Sequence, residues 1–315
     1  MRIVIVTPAK PGTRHGNRNT ALRWATHLRA LGHTVEVAVE WTRGPHDLMV
    51  ALHARRSHAA MRAWKNAHPE RSLVLILTGT DLYRDIRTDA DAKASLDLAD
   101  RLVVLQEKGL DELGPRHRRK ATTIHQSVRP LTRRPVPKRD FLVTVIGHLR
   151  EEKDPFCAAR ALAHLPDAPN LRVVQLGKAM RPSLAREARA FMRSEPRYRW
   201  LGELDHAGAM RWLARSHAMV ISSCMEGGAH VVSEAIAAGV PVIASDIPGN
   251  RGLLGDAYPA CYPVGDDQML AALLLCAQSE PAFLAGLAKR VRARRALVSV
   301  ARERQAIRQL VAELR

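Results

Sequence analysis

Aromatic side chains make up only 4% of the 315 residues. A core built without them must be filled by Ala, Leu, Val and Ile, and little is left for stacking on nucleic-acid bases. The four cysteines, Cys157, Cys224, Cys261 and Cys276, include no CxxC pair and none beside a His at metal-ligand spacing. That pattern excludes a disulfide framework or a zinc ribbon and fits reduced thiols in a cytoplasmic protein. No apolar run approaches the roughly 18 residues of a membrane span. The opening MRIVIVT is a strand-length run, not the core of a signal peptide. Low-complexity tracts, short repeats, HExxH and GxSxG are all missing.

What remains is ordinary globular material, 46% hydrophobic and 25% charged, with enough chain for two domains. The unusual quantity is the net charge of +18. Arg outnumbers Lys by 40 to 9 and the charge is spread along the chain, without the basic tail of a nucleic-acid arm. Residues 1–140 hold 26 Lys and Arg against 14 Asp and Glu, net +12, and residues 141–315 are net +6. A more basic first half fits either a small anionic substrate there or a solvated basic surface.

Strand and helix patterns alternate throughout. RIVIVT (2–7) reads as a buried strand, 20–31 as a helix stopped at Gly32, and VEVAV (35–39) as the next strand. Helices are expected over 47–60 and 88–98, with strands at LVLIL (73–77), RLVVL (101–105) and 122–125. Residues 127–140, SVRPLTRRPVPKRD, hold three prolines and five Arg or Lys and read as an interdomain linker. A second series begins at FLVTVI (141–146) and LRVVQL (171–176). It runs on to VPVIAS (240–245), with helices expected at 267–279 and 281–308. The expected fold is α/β, two Rossmann-like doubly wound domains facing across a cleft, with ligands at the carboxyl ends of the strands. The divisions are 1–130, a linker over 131–140, 141–290, and a C-terminal helix, 291–315, packing back across the domains.

Four stretches carry candidate chemistry. In SSCMEGGAHVVSEAIAAGVPVIASDIPGN (222–250), Gly227 and Gly228 expose amides between Glu226 and a helix starting near Ala229 or His230. The first-turn amides and the dipole of that helix suit a diphosphate, and two carboxylates, Glu226 and Glu234, suit sugar and ribose hydroxyls. A solvated Glu226 and a helix-dipole Glu are the alternative. In GHLREEKDP (147–155), Arg150 and Lys153 follow Gly147 at a strand end and could neutralise a diphosphate, or form an exposed basic loop. The first loop, TPAKPGTRHGNRNT (7–20), crowds Lys10, Arg14, His15 and Arg18 around Gly12 and Gly16. In LTGTDLY (77–83), Thr80 and Asp81 follow Gly79; Asp81 suits a base or a helix N-cap. His53, His58, His117 and His125 are scattered and read as surface or core residues.

The Glu226-x7-Glu234 stretch with AIAAGVPVIASDIPGN resembles the donor site of family-4 glycosyltransferases of the GT-B fold. The resemblance implies a C-terminal nucleotide-sugar-binding domain and an acceptor-side N-terminal domain. It places Glu226 at the donor sugar, Glu234 at the ribose, and Gly227, Gly228, Ala229 and His230 along sugar and diphosphate. Asp246 and Asn250 would line the same rim. Gly12 in the first loop and Gly147 would contact the donor. Arg150 and Lys153 match the pair that stabilises the departing diphosphate, so no metal or cofactor is expected. The family often has a His before the Gly of its strand-end Gly-Thr motif; Thr78 stands there instead, which puts His-assisted activation of an acceptor hydroxyl in doubt.

TPAKPGTRHGNRNTALRWA, LTGTDLYRD, GHLREEKDP and EGGAHVVSEAIAAGVPVIASDIPGNRGLLG together resemble the selenosugar synthases of selenoneine biosynthesis. That implies UDP-N-acetylglucosamine or UDP-glucose as donor and selenophosphate as acceptor, with Lys10, Arg14, His15, Arg18, Thr80 and Asp81 on the acceptor side. No nucleic acid and no membrane partner is expected. The rival readings are a transferase acting on a hydroxyl of a lipid or small metabolite and, from the charge alone, a nucleic-acid-binding protein.

Overall fold

The computed structural model describes residues 1–12 and 16–314. They divide into two compact units. The first gathers Met1–Ser127, Glu226–Gly228 and the C-terminal stretch from Val300; the second is Val128–Met225 with Ala229–Ser299.

In the first unit six strands, β1 (Arg2–Val6), β2 (Thr34–Ala38), β3 (Leu48–Leu52), β4 (Leu73–Ile76), β5 (Arg101–Val104) and β6 (Ala121–Thr123), form one sheet. Its order is β2-β1-β3-β4-β5-β6 and every pair is parallel. Alternate residues face opposite sides. Ile3, Ile5 and Val50 pack with Trp24 and Leu28 of the helix Gly16–Ala30 and with Ile307 and Leu310 of the helix Val300–Ala312. Val4, Val6, Met49 and Ala51 pack with Met61 and Trp64 on the other side. Both faces are covered, which is why these strands read as unbroken apolar runs.

One expectation fails here. Residues 47–60 are not a helix: LMVAL is the central strand β3, buried throughout, and the helix starts only at His58. A five-residue apolar run suits strand and helix alike, and burial on both faces decides it. Residues 281–308 are likewise not one helix. Pro281–Ala293 ends at Arg294, a short 3₁₀ turn covers Arg295–Val298, and Val300–Ala312 follows an extended Ser299. The Arg294 guanidinium donates to the carbonyls of Leu253 (2.9 Å) and Gly252 (2.8 Å), which fixes the break.

The second unit holds β7 (Phe141–Ile146), β8 (Leu171–Leu176), β9 (Tyr198–Trp200), β10 (Ala218–Ile221), β11 (Val242–Ser245) and β12 (Cys261–Tyr262). They run parallel in the order β12-β11-β10-β7-β8-β9. Val143 and Val145 face one core and Leu142, Val174 and Leu176 a smaller one. The preceding linker stretch is pinned onto this unit: Arg134 N–H donates to Ala214 O (2.9 Å) and Arg133 Nη1 to Ser216 O (2.6 Å). No single described helix is long and apolar enough to cross a membrane.

Both sheets are doubly wound. In the first the strand order reverses between β1 and β3, in the second between β7 and β10. Ligands of open α/β sheets bind at the carboxyl ends of strands flanking such a reversal. The loops after β1, β3, β7 and β10 are therefore where chemistry is expected.

Candidate functional site

In the second unit the loops after β7 and β10 are tied to each other. Ser222 Oγ, just past β10, donates within reach of both Lys153 O (3.0 Å) and Asp154 O (2.8 Å), and Cys224 N–H donates to Glu152 O (2.9 Å). Arg150 stands exposed at the start of a 3₁₀ turn, Glu151–Lys153, and Lys153 is half-buried. Asp154 ends that turn in the left-handed region, φ +37°. Its carboxylate accepts from Arg160 Nη2 at 3.0 Å on each oxygen, and this fork holds a conformation that L side chains avoid. Gly147 N–H donates to Leu176 O (2.8 Å). Gly177, φ +146°, lies so close under the Gly147 carbonyl that a Cβ there would collide with it. Arg150 and Lys153 thus project from a loop braced on two sides.

The helix His230–Ala238 starts after Ala229 and stops at Gly239, φ +70°. Ala229 is buried and His230 half-buried. Glu234, one turn in, is buried. Its Oε1 lies 2.7 Å from His206 Nε2, which comes from the helix His206–Ala214, and 3.6 Å from His230 Nε2. The hydrogen bond to Glu234 raises the His206 pKa above its ordinary 6.5, against the opposing effect of burial. Past β11, Asp246 is exposed and forked to Arg251 (2.6 and 2.9 Å). Asn250 does not line a rim: it is fully buried, and its amide donates to Ser245 O (3.0 Å).

The first unit carries the other candidates. Gly12 has φ +79° in an open turn; Lys10 is exposed. Arg14 and His15 lie outside the described residues. Arg18, in the first turn of Gly16–Ala30, is half-buried, and its Nη1 is buried with no hydrogen-bond partner among the described residues. Five residues on, Arg23 Nη2 donates to Gln126 Oε1 (3.0 Å), while Gln126 Nε2 donates to Gly228 O (2.8 Å). Gly227 lies against the Thr78 carbonyl so closely that only glycine fits, and Glu226 beside it is half-buried.

Asp81 is completely buried. Oδ1 accepts from Thr78 N (3.0 Å), Thr78 Oγ1 (3.2 Å) and Gly79 N (2.9 Å), and Oδ2 accepts from Ala54 N (2.9 Å). With its lone pairs directed at these donors, it braces the Thr78–Gly79 turn and does not face an acceptor, a correction to its expected place in an acceptor site. The five residues Asp81–Asp85 form a π-helix, a geometry frequent at functional sites.

His53, expected as a surface or core residue, is a core one. It follows β3 directly with φ +74° at 2% exposure, its Nε2 3.1 Å from Thr80 Oγ1 and its Nδ1 accepting from Arg56 N at 3.4 Å. Burial lowers its pKa, so the ring is neutral near pH 7. Its signal was hidden because residues 47–60 looked helical; had β3 been recognised, His53 would have read as a strand-end residue. His206 had no signal, since nothing in the spacing links it to Glu234.

Two parallel Rossmann-like units, each with strand-end loops at a reversal, are the architecture of the GT-B fold. Residues 131–294, a little over half of the chain, match the family Glycosyl transferases group 1, and the chain belongs to that family. The chain is 24% identical over 273 residues to the glycosyltransferase 1 domain-containing protein 1 of Xenopus tropicalis, covering 76% of this chain and 77% of that one. Among solved structures it is similar to HepE of Anabaena in complex with UDP and glucose (TM-score 0.79, 18% identity, 100% of both chains). It is also similar to the sucrose-phosphate synthase of Thermosynechococcus elongatus (TM-score 0.81, 16% identity, 99% of this chain and 98% of that one).

Proposed function

We propose that this glycosyltransferase takes its sugar from a UDP-sugar and transfers it to selenophosphate, acting as a selenosugar synthase. The observation that carries the donor half is the braced pair of loops after β7 and β10, which present Arg150 and Lys153 beside the strand ends. Two cations held on a strained loop stabilise a departing diphosphate without having to reorganise at the moment of reaction. Glu234 takes the ribose hydroxyls, Glu226 the sugar, and the amides from Gly227 to His230 the phosphates. HepE, bound to UDP and glucose, supports that choice of donor.

The acceptor half rests on the first loop and its neighbours. Lys10, Arg14, His15 and Arg18 recruit a small anion, and the unpartnered Arg18 Nη1 is a donor waiting for an oxyanion. Thr78 stands where a base for a hydroxyl acceptor would be, and selenophosphate needs no such base. Its selenium attacks the anomeric carbon as the bond from that carbon to the UDP oxygen breaks; water then cleaves the Se–P bond, giving a 1-selenosugar and phosphate.

Mass spectrometry of the purified protein with UDP-N-acetylglucosamine or UDP-glucose, with and without selenophosphate, tests this. The expected result is UDP release and a new 1-selenosugar only when both substrates are present. UDP release with a hydroxyl acceptor and none with selenophosphate would leave the donor site standing and discard the selenium acceptor.

A further inference from the structure

Glu234 is a buried carboxylate. At 6% side-chain exposure it has lost most of its water, and a buried charge without compensation is costly. Compensation comes from an unexpected place. His206, exposed over 73% of its side chain, leans across from the first turn of its own helix and puts Nε2 2.7 Å from Oε1. His230, one turn earlier on the helix of Glu234, stops at 3.6 Å from the same oxygen, too far for a strong hydrogen bond. Oε2 accepts no hydrogen bond from any described residue. One oxygen is clamped and the other is left for a ligand.

We propose that His206 is a positioning residue of the donor site, whose protonated imidazole holds Glu234 in place for the ribose hydroxyls and makes nucleotide binding weaken as pH rises. The inference rests on the reading of Glu234 as the ribose residue. His230 is the second titratable group facing Glu234. Asp205, which caps its helix by accepting from Gly208 N (2.7 Å), adds negative potential at His206. Arg292 and Arg295, from the elements packed on the far end of the Glu234 helix, meet Gly239. Arg251, from the next helix, is forked to Asp246.

The sign follows from the pair. His206 has a raised pKa in the fold, so the ion pair is complete below the ordinary imidazole value of 6.5 and is lost as pH rises through the raised one. A hydrogen bond to a charged partner is worth enough to shift affinity by about tenfold. Loss of the imidazolium leaves Glu234 less fixed and its charge less compensated, and ribose binding suffers.

Titration calorimetry with UDP, from about pH 6 to about pH 8.5, on the wild type, His206→Gln and His206→Lys tests this. UDP's own phosphate ionises in the same range, but equally for all three proteins, so the ratio to wild type is the quantity read. The expected result is that His206→Gln binds about tenfold more weakly than wild type at the acid end, and that the two converge at the alkaline end. His206→Lys, charged throughout, should bind at the alkaline end better than wild type. With 2′,3′-dideoxy-UDP all three should bind alike at every pH. A ratio that does not change with pH, or a penalty that survives removal of the ribose hydroxyls, overturns the positioning role while the donor site stands. A wild type that does not bind UDP at any pH overturns the donor reading and this inference with it. His206 is mostly exposed, so its variants are expected to fold; matching thermal melts verify that.

Discussion

The two units are built on the same plan and use it differently. Each is a parallel sheet with one reversal of strand order, and each has a non-glycine residue in the left-handed region on a loop at that reversal: His53 after β3 and Asp154 after β7. In the second unit the strain serves exposed charge. Asp154 is forked to Arg160 so that the loop carrying Arg150 and Lys153 is held open at the strand ends. In the first unit it serves a buried, uncharged contact, His53 to Thr80, beside a carboxylate, Asp81, saturated by four donors. Under the proposed function the second unit is organised to stabilise charge that develops on a ligand. The first fixes the course of its backbone and, in that same proposal, leaves recruitment of an anion to long cations such as Lys10 and Arg18.

The largest expected effect tests the charged half of that contrast. Arg150→Ala and Lys153→Ala should each lower kcat by about a hundredfold, the scale of a lost transition-state donor. Both side chains are at least partly exposed on the loop surface, so stability should change by no more than about 0.5 kcal/mol. Steady-state kinetics beside thermal melts would show this. A variant that keeps its turnover, or loses it only by unfolding, breaks the comparison.

The next effect belongs to the first unit, where charge is used internally. Glu303, on the helix Val300–Ala312, is 1% exposed and accepts from His27 Nε2 (3.0 Å), Arg23 Nε (3.0 Å) and Ser127 N (2.8 Å). Burial alone would raise its pKa; His27, the Arg23 charge and Ser127 override this and bring it down to about 2 from an ordinary 4.5. The depressed carboxylate contributes stability that is complete above about pH 4.5 and lost as pH falls toward about 2. Glu303→Gln should therefore cost about 3 kcal/mol at neutral pH. It should also flatten the acid limb of a denaturant-midpoint series between about pH 4.5 and pH 2. An unchanged acid limb would show that the ion cluster does not anchor the terminal helix.

How legible these features were follows the same division. The strands of the second unit are legible because they are plain apolar runs, and the Gly147-to-Pro155 loop follows one of them directly; the Glu226-to-Glu234 stretch is equally local in sequence but is divided between the units, Glu226–Gly228 belonging to the first. The first unit was read less well because its site is assembled from residues far apart. His53 and Thr80 meet only when β3 and β4 lie side by side, and β3 was mistaken for helix because LMVAL has no periodicity of its own. Asp81 was open between base and cap until its four donors were in place. The break at Arg294 depends on carbonyls some forty residues away, and Asn250 looked like a rim residue until burial showed it bonded to Ser245.

The smallest effect separates backbone from ring at His53. A left-handed residue other than Gly, Asn or Asp carries about 1 kcal/mol of strain. His53→Asn relieves part of that strain and removes the ring contact to Thr80; His53→Ala keeps the strain and loses the same contact. His53→Ala should accordingly be the less stable of the two by about 1 kcal/mol, a few degrees in melting temperature. Burial holds the wild-type ring neutral, so wild type should lose stability as pH falls below about 6.5, where the unfolded ring takes up a proton. Both variants lack this contribution and should lose less stability than wild type across that range, where His217, also lowered by burial, still titrates; the range lies well above the window of Glu303. If His53→Asn melts with His53→Ala, the left-handed backbone carries no strain of its own. If it melts higher and also transfers sugar as fast as wild type, Thr80 needs no imidazole to orient it, and the first unit's strained residue is a feature of folding where the second unit's is a feature of catalysis.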